Sequence, residues 1–475
     1  MEPQARRDHR GRRTQWRRPP DRAGARRCAG RRGGRTLRRV TPRRLPSEFL
    51  LGCATAAHQV EGGIENDWSR FERQRPSPVA DGSDASTAID HYRRYAEDLQ
   101  QLAAGDQDAH RFSVEWARVE PEAGCFDSAA LRHYRDVVRV CRRLDMEPVV
   151  TLQHFTLPRW LAERGGVVNP AAPRLFARYA AACAETLGDS VVWWLTINEP
   201  AVLAVQGFLN GLWPPQQRSI GDALAALRGL LRMHAAGASA VHDVARRHGW
   251  DARVSVAHHE RRLRPRAGAT PLDRAAAVLP DFIFNRWFLR SCVAGRILPP
   301  VGDGRRVPDL RGSLDFLGVN YYSEDTVSFD ARVPLTLFAS MAPDPDLPRS
   351  AFGWAIHPAG LRRALNELWM ETRLPLLVTE NGVADNDDEL RPRYIVAHLN
   401  AVLDAIDDGA DVRGYLHWTA WDNFEWAEGY TKRFGLYAVD RETLSRTPKP
   451  SAAVFAEICR TRSVPDAARV TASAR

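Results

Sequence analysis

The sequence predicts a (β/α)8 barrel, and three observations point to it. Eight short apolar runs rich in β-branched and aromatic residues recur between about residues 46 and 418. The longer stretches between them place apolar residues every three to four positions, the period of an amphipathic helix. Several runs stop at polar residues, Asn198-Glu199 and Glu380-Asn381 above all, as strands do at the carboxyl end of such a barrel. Eight β–α units in series favour a closed barrel over an open sheet.

Taken in order, the first run, Phe49–Thr55, passes into Ala56-Ala57-His58-Gln59. The second, Ala109–Val114, carries His110-Arg111-Phe112-Ser113, and a helical pattern over Ala129–Leu144 follows on an Arg-rich ground. Pro148–Leu152 ends at Gln153-His154-Phe155, and a second helical pattern covers Ala171–Leu187. Val192–Ile197 ends at Asn198-Glu199-Pro200, before a long helical pattern over Ile220–His248. Arg253–Ala257 is the fifth run, and Leu314–Val319 is the sixth, delivering Asn320-Tyr321-Tyr322. Pro358–Met370 reads as a helix with proline at its start, where its missing N–H costs nothing. Leu376–Thr379 stops at Glu380-Asn381-Gly382, and Arg413–Trp418 leads into Asp422–Tyr430. The irregular stretches Ser69–Thr87 and Ser323–Phe352 read as loops over the barrel mouth. One domain over residues 45–462 is expected, with a disordered Arg-rich tail over 1–44 and a frayed tail over 463–475.

The charge supports this division. The chain carries a net +9, but residues 1–44 hold 17 Arg against Glu2, Asp8 and Asp21, a net of +14. Removing that segment leaves −5, so the body is mildly acidic and no nucleic-acid partner is expected. The tail has no apolar core segment of a secretory signal. It reads as upstream sequence, a solvated basic arm or a targeting segment. No apolar run reaches the roughly 18 residues of a membrane span. The seven cysteines are scattered without a C-x-x-C pair, which fits free thiols and a cytoplasmic setting. His258-His259-Glu260 lacks the i, i+4 histidine spacing of a helical zinc site, so neither metal nor cofactor is expected.

Two carboxylates brought to one site are what cleavage of a glycosidic bond needs. Gln, His, Asn and Trp at the strand ends suit a sugar, whose hydroxyls need polar partners and whose apolar face packs on an indole. The motifs Phe49–Ala57, Arg111–Trp116, Thr196-Ile197-Asn198-Glu199-Pro200, Gly318–Tyr322, Thr379–Gly382 and Asp422–Tyr430 occur in an order and spacing that resembles glycoside hydrolase family 1. The likeness to that β-glucosidase family of retaining barrel enzymes runs from about Leu45 to Ile458.

The resemblance implies roles. Glu199 would be the general acid/base and Glu380 the nucleophile, with carboxyl groups about 5–5.5 Å apart. The Glu380 charge would raise the pKa of Glu199, while Arg111 and Tyr322 keep Glu380 ionised. Asn198 would bind the sugar 2-hydroxyl; Gln59, His154, Glu425 and Trp426 would hold the other hydroxyls, with Trp418 as the stacking floor. An anionic Glu425 would repel a 6-phosphosugar, which favours a plain β-glycoside as the small-molecule partner. Phe155 and Trp421 depart from the family's usual residues, as does the loop Gly211–Gln216, on the side that shapes the aglycone. The expected activity is a retaining exo-β-glycosidase, a β-glucosidase foremost. A transglycosylase on the same site and a non-catalytic sugar-binding barrel are its alternatives.

Overall fold

The structure, a computed structural model, describes residues 42–466. Eight parallel strands close a barrel in sequence order: β1 (Leu50–Ala54), β2 (Ala109–Ser113), β3 (Glu147–Gln153), β4 (Trp193–Asn198), β5 (Arg253–His259), β6 (Leu317–Asn320), β7 (Leu376–Asn381) and β8 (Val412–Trp418). β8 closes on β1, with Gly414 opposite Leu50 and Trp418 opposite Ala54. All eight predicted runs became these strands. They are buried on both faces, inside by one another and outside by helices, so they read as near-continuous apolar runs without alternation.

The four predicted helices form over Ser128–Arg143, Ala172–Leu187, Ile220–His248 and Pro358–Thr372. Asp127 caps the first by accepting from the amides of Ala129 and Ala130. Ser219 caps the long one, which ends at Gly249 in the left-handed conformation. Among the described residues no helix is long and apolar enough to cross a membrane.

Two boundaries differ from expectation. Arg43–Arg44 pairs antiparallel with Ser463–Val464, so the ordered body extends past 45–462 at each end. Arg43 also binds Asp404 and Asp407 at 2.6 and 2.8 Å. A two-residue strand pair leaves no periodicity to read. The rest of both tails lies outside the described residues.

The stretch 323–352 is not a plain loop. Asp325–Phe329 and Ala339–Pro343 form an antiparallel pair, joined by Leu263–Pro265 into a three-stranded sheet. Val327, Ala339 and Leu263 pack there with Ala276 and Ala277 of the helix Pro271–Asp281. The stretch 69–87 begins inside a helix, Asp67–Glu72, whose capping box is made by Asn66 and Ser69.

Two register shifts position the site. One lies between Leu195 and Asn198 where β4 meets β5, the other between Val378 and Glu380 where β7 meets β6. Bulges of this kind re-aim side chains, and these two fall just ahead of Glu199 and at Glu380. Gly382 follows at a tight crossing, where a Cβ would lie 1.9 Å from the Trp418 carbonyl oxygen.

Candidate active site

Glu199 and Glu380 line one cavity of about 510 Å³ at the carboxyl end of the barrel. Glu199 follows the last residue of β4 and caps the segment beginning at Pro200. Its φ of 44° puts a non-glycine residue in the left-handed region, and its amide donates to the Ala257 carbonyl at 2.8 Å. Phe155 (φ 71°) and Trp426 (φ 49°), on the same wall, share this conformation. Such positions cost on the order of 1–3 kcal/mol each and gather at functional sites.

Glu380 Oε1 accepts from Arg111 Nη1 at 2.6 Å, and Oε2 accepts from the Tyr322 hydroxyl at 2.6 Å. Arg111 is wholly buried; it also donates to Asn198 Oδ1 (2.7 Å), Thr151 Oγ1 (3.0 Å) and the Thr379 carbonyl (3.1 Å). Asn320 Nδ2 reaches Asn198 Oδ1 (3.1 Å) and Glu199 Oε1 (2.8 Å). One continuous network therefore runs from Glu380 through Arg111, Asn198 and Asn320 to Glu199.

The two carboxyls sit in unequal surroundings. Burial pushes Glu380 up; Arg111 pulls it back and the Glu199 charge adds to the rise, leaving it at about 7. Burial also pushes Glu199 up, but His259 outweighs it by charge and hydrogen bond, with help from Asn320, and holds Glu199 below the usual carboxylate range. This order reverses the expected one, and His259 is the reason. Its Nδ1 lies 2.8 Å from Glu199 Oε1.

The Tyr322 hydroxyl, held as a donor by burial, stabilises the Glu380 anion. Replacing Tyr322 with Phe removes that donor, so the Glu380 pKa rises. A reaction that needs Glu380 ionised then loses rate at a higher pH than before. The acid limb of the kcat/KM profile is expected near pH 7 and should move upward in Tyr322→Phe. An unmoved limb would assign it to another group.

The sugar-binding candidates gather around this pair. His154, Trp418, Glu425 and Trp426 line the cavity. His154 Nε2 is 3.1 Å from Asn198 Nδ2, and its ring stacks on Trp418 (5.8 Å, 22°) and Trp426 (6.0 Å, 16°). Asn198 and Gln59 are wholly buried, and Gln59 Nε2 donates to the Phe424 carbonyl (2.8 Å) and Glu425 Oε2 (3.3 Å). Gln59 Oε1 and His154 Nδ1 are buried with no hydrogen-bond partner among the described residues, which leaves both free to bond a ligand.

Glu425 does not carry the charge expected of it. Burial first, then the Glu380 charge, push its carboxyl up to about 8, so it is mostly protonated at neutral pH. It can then donate to a sugar hydroxyl as well as accept. The case against a phosphosugar passes to Glu199, Glu380 and Glu428 on the wall, where Arg261 is tied to Asp325 at 2.6 Å.

Two residues at the site carry little signal in the sequence. Asn320 bridges Asn198 and Glu199, and His259 reads in the sequence only as part of a metal-like trio. Strand alternation separates that trio: His258 faces Glu260 (3.3 Å), which pairs with Arg286 at 2.8 Å, while His259 faces Glu199. Alternation carried two residues past Ala257 would have found it.

Comparison with known proteins agrees with this geometry. The sequence pattern described as glycosyl hydrolase family 1 matches residues 41–464. The chain is 31% identical over 451 residues to β-glucosidase A of Thermotoga maritima, covering 89% of this chain and 99% of that protein. Among solved structures, a β-glycosidase from Pyrococcus horikoshii superposes with a TM-score of 0.82 at 34% identity, covering 90% and 97% of the two chains. A Thermotoga maritima β-glucosidase in complex with glucoimidazole gives 0.81 at 31% identity, covering 88% and 99%.

Proposed function

This chain belongs to glycosyl hydrolase family 1, and from that premise we propose a retaining exo-β-glycosidase that removes terminal non-reducing β-D-glucosyl residues from small glycosides. One observation carries the reading: two buried carboxyls share a cavity, one held by Arg111 and Tyr322, the other by His259 and Asn320. Relatives named β-glucosidase support the choice of sugar.

In the first step Glu380, the nucleophile, attacks the anomeric carbon while Glu199 gives its proton to the departing oxygen. Arg111 supplies the charge that opposes burial and favours the Glu380 anion. His259 Nδ1 lies 2.8 Å from Glu199 Oε1 and, with Asn320, holds its carboxyl below the usual range. A sugar filling the cavity excludes water, and deeper burial favours the neutral carboxyl. Binding thus raises the Glu199 pKa toward the acid form that the first step needs. Once Glu380 is esterified its charge is gone, and Glu199 takes a proton from water in the second step. Asn198 meets the 2-hydroxyl. Gln59, His154, Glu425 and Trp426 hold the remaining hydroxyls, and Trp418 is the stacking floor. A cytoplasmic setting is part of this reading, supported by the six cysteines among the described residues, all free and five of them buried.

The test is stereochemical. Proton NMR of 4-nitrophenyl β-D-glucoside hydrolysis should show β-glucose forming first. α-Glucose as the first product would overturn the retaining assignment. A parallel panel of galactoside, fucoside and 6-phosphoglucoside should rank below the glucoside, the phosphorylated sugar lowest.

A further inference from the structure

A second cavity, of about 220 Å³, adjoins the first and is mostly apolar. Leu209, Leu224 and Ile283 form its walls, and Leu335, Leu337 and Met341 form a lip on the hairpin between Asp325–Phe329 and Ala339–Pro343. Val205, Gln206, Arg261 and Phe284 line both cavities, so the two share one boundary. The lip keeps apolar side chains in water: Leu335 is 42% exposed and Met341 40%. Thr336 Oγ1 holds the turn by donating to the Val333 and Ala339 carbonyls.

The shared boundary lies on the Glu199 side. Val205 and Gln206 belong to the segment that begins at Pro200, directly after Glu199. Phe284 meets His259 edge-on (5.8 Å, 82°), and His259 bonds Glu199. A general acid faces the leaving oxygen, so the aglycone sits on its side. From this continuity we propose that the apolar cavity receives the tail of the aglycone, an alkyl chain or similarly extended hydrocarbon and not a second sugar. A second sugar would leave most of its hydroxyls unpaired against leucine and isoleucine, whereas a hydrocarbon tail covers the exposed lip. The inference rests on the β-glucosidase reading for which end of the substrate enters the catalytic cavity.

The experiment compares octyl and methyl 1-thio-β-D-glucoside, both resistant to hydrolysis, as inhibitors of 4-nitrophenyl β-D-glucoside cleavage, with the octyl compound kept monomeric. The octyl compound should inhibit at a concentration at least about tenfold lower, as burial of several methylenes requires. Leu335→Glu and Met341→Glu, at exposed lip positions away from the catalytic groups, should each erase most of that gap and leave nitrophenyl glucoside hydrolysis unchanged. No gap in the wild type, or a gap that survives both substitutions, overturns the proposal. So does a dimer in sedimentation that Leu335→Glu dissolves while the gap stays, because a second copy would then be the occupant. If the wild type cleaves no glucoside, the functional reading fails separately. Calorimetric binding of the same two thioglucosides then decides the cavity by the same gap.

Discussion

Replacing Glu380 with glycine is expected to lower hydrolysis of an aryl β-D-glucoside by about 10⁴-fold or more, because the bond to the anomeric carbon has no other carboxylate to form it. The site also predicts a cost in stability. Arg111 is wholly buried, and its guanidinium would keep Asn198, Thr151 and Thr379 but lose its one ion-pair partner among the described residues. Leaving one member of a buried pair uncompensated costs about 3–5 kcal/mol. The variant should therefore melt at a lower temperature, and azide or formate should raise both melting temperature and rate by placing an anion beside Arg111. With azide the product should be the α-glucosyl azide, since the small anion attacks from the face that Glu380 occupied. Full activity in the variant, or azide giving the β-product, would remove Glu380 from the nucleophile's role.

The barrel was readable in the sequence because its strands are buried on both faces, so composition alone marks them. The pair proposed as catalytic is readable because each glutamate ends such a run. What escaped depends on three dimensions. β5 reads as ending at Ala257 because His258, His259 and Glu260 look like a polar break. Yet Glu260 is neutralised by Arg286 at 2.8 Å, a buried pair separated by 25 intervening residues, and the strand continues to His259. The charge of Glu425 is set by burial and by Glu380, neither of which a local motif contains. The left-handed backbone at Glu199, Phe155 and Trp426 has no glycine to announce it. The hairpin of 325–343 is hidden by Pro334 and its charged neighbours, and its strands become evident only from their pairing. Of the departures from the family's usual residues, Phe155 falls on the aromatic wall beside Trp213 (4.9 Å) and Trp426 (5.2 Å), whereas Trp421 is buried away from it against His91 (5.2 Å) and His110 (6.2 Å).

Replacing Glu199 with alanine is expected to divide substrates by their leaving groups. A dinitrophenolate departs without a proton, so its glucoside should keep a near-normal rate of glycosylation of Glu380. An alkyl alkoxide cannot depart so, and alkyl glucosides should lose about 10²–10⁴-fold, the usual contribution of general acid catalysis. The second step also loses its base, so the glycosyl-enzyme formed from a good leaving group should accumulate and show a burst. Azide should relieve that burst by attacking without base assistance, here giving the β-glucosyl azide because the attack comes from the Glu199 face. The stereochemistry thus separates the two glutamates: α-azide for the Glu380 variant, β-azide for the Glu199 variant. The His259 contact adds a further contrast. In Glu199→Gln the amide can still accept from Asn320 and His259, so the local hydrogen bonds survive while the transferable proton does not. Glu199→Gln should therefore match Glu199→Ala on alkyl glucosides while melting closer to the wild type. Equal losses on both leaving-group classes in either variant would show that Glu199 supports the fold of the site and not proton transfer.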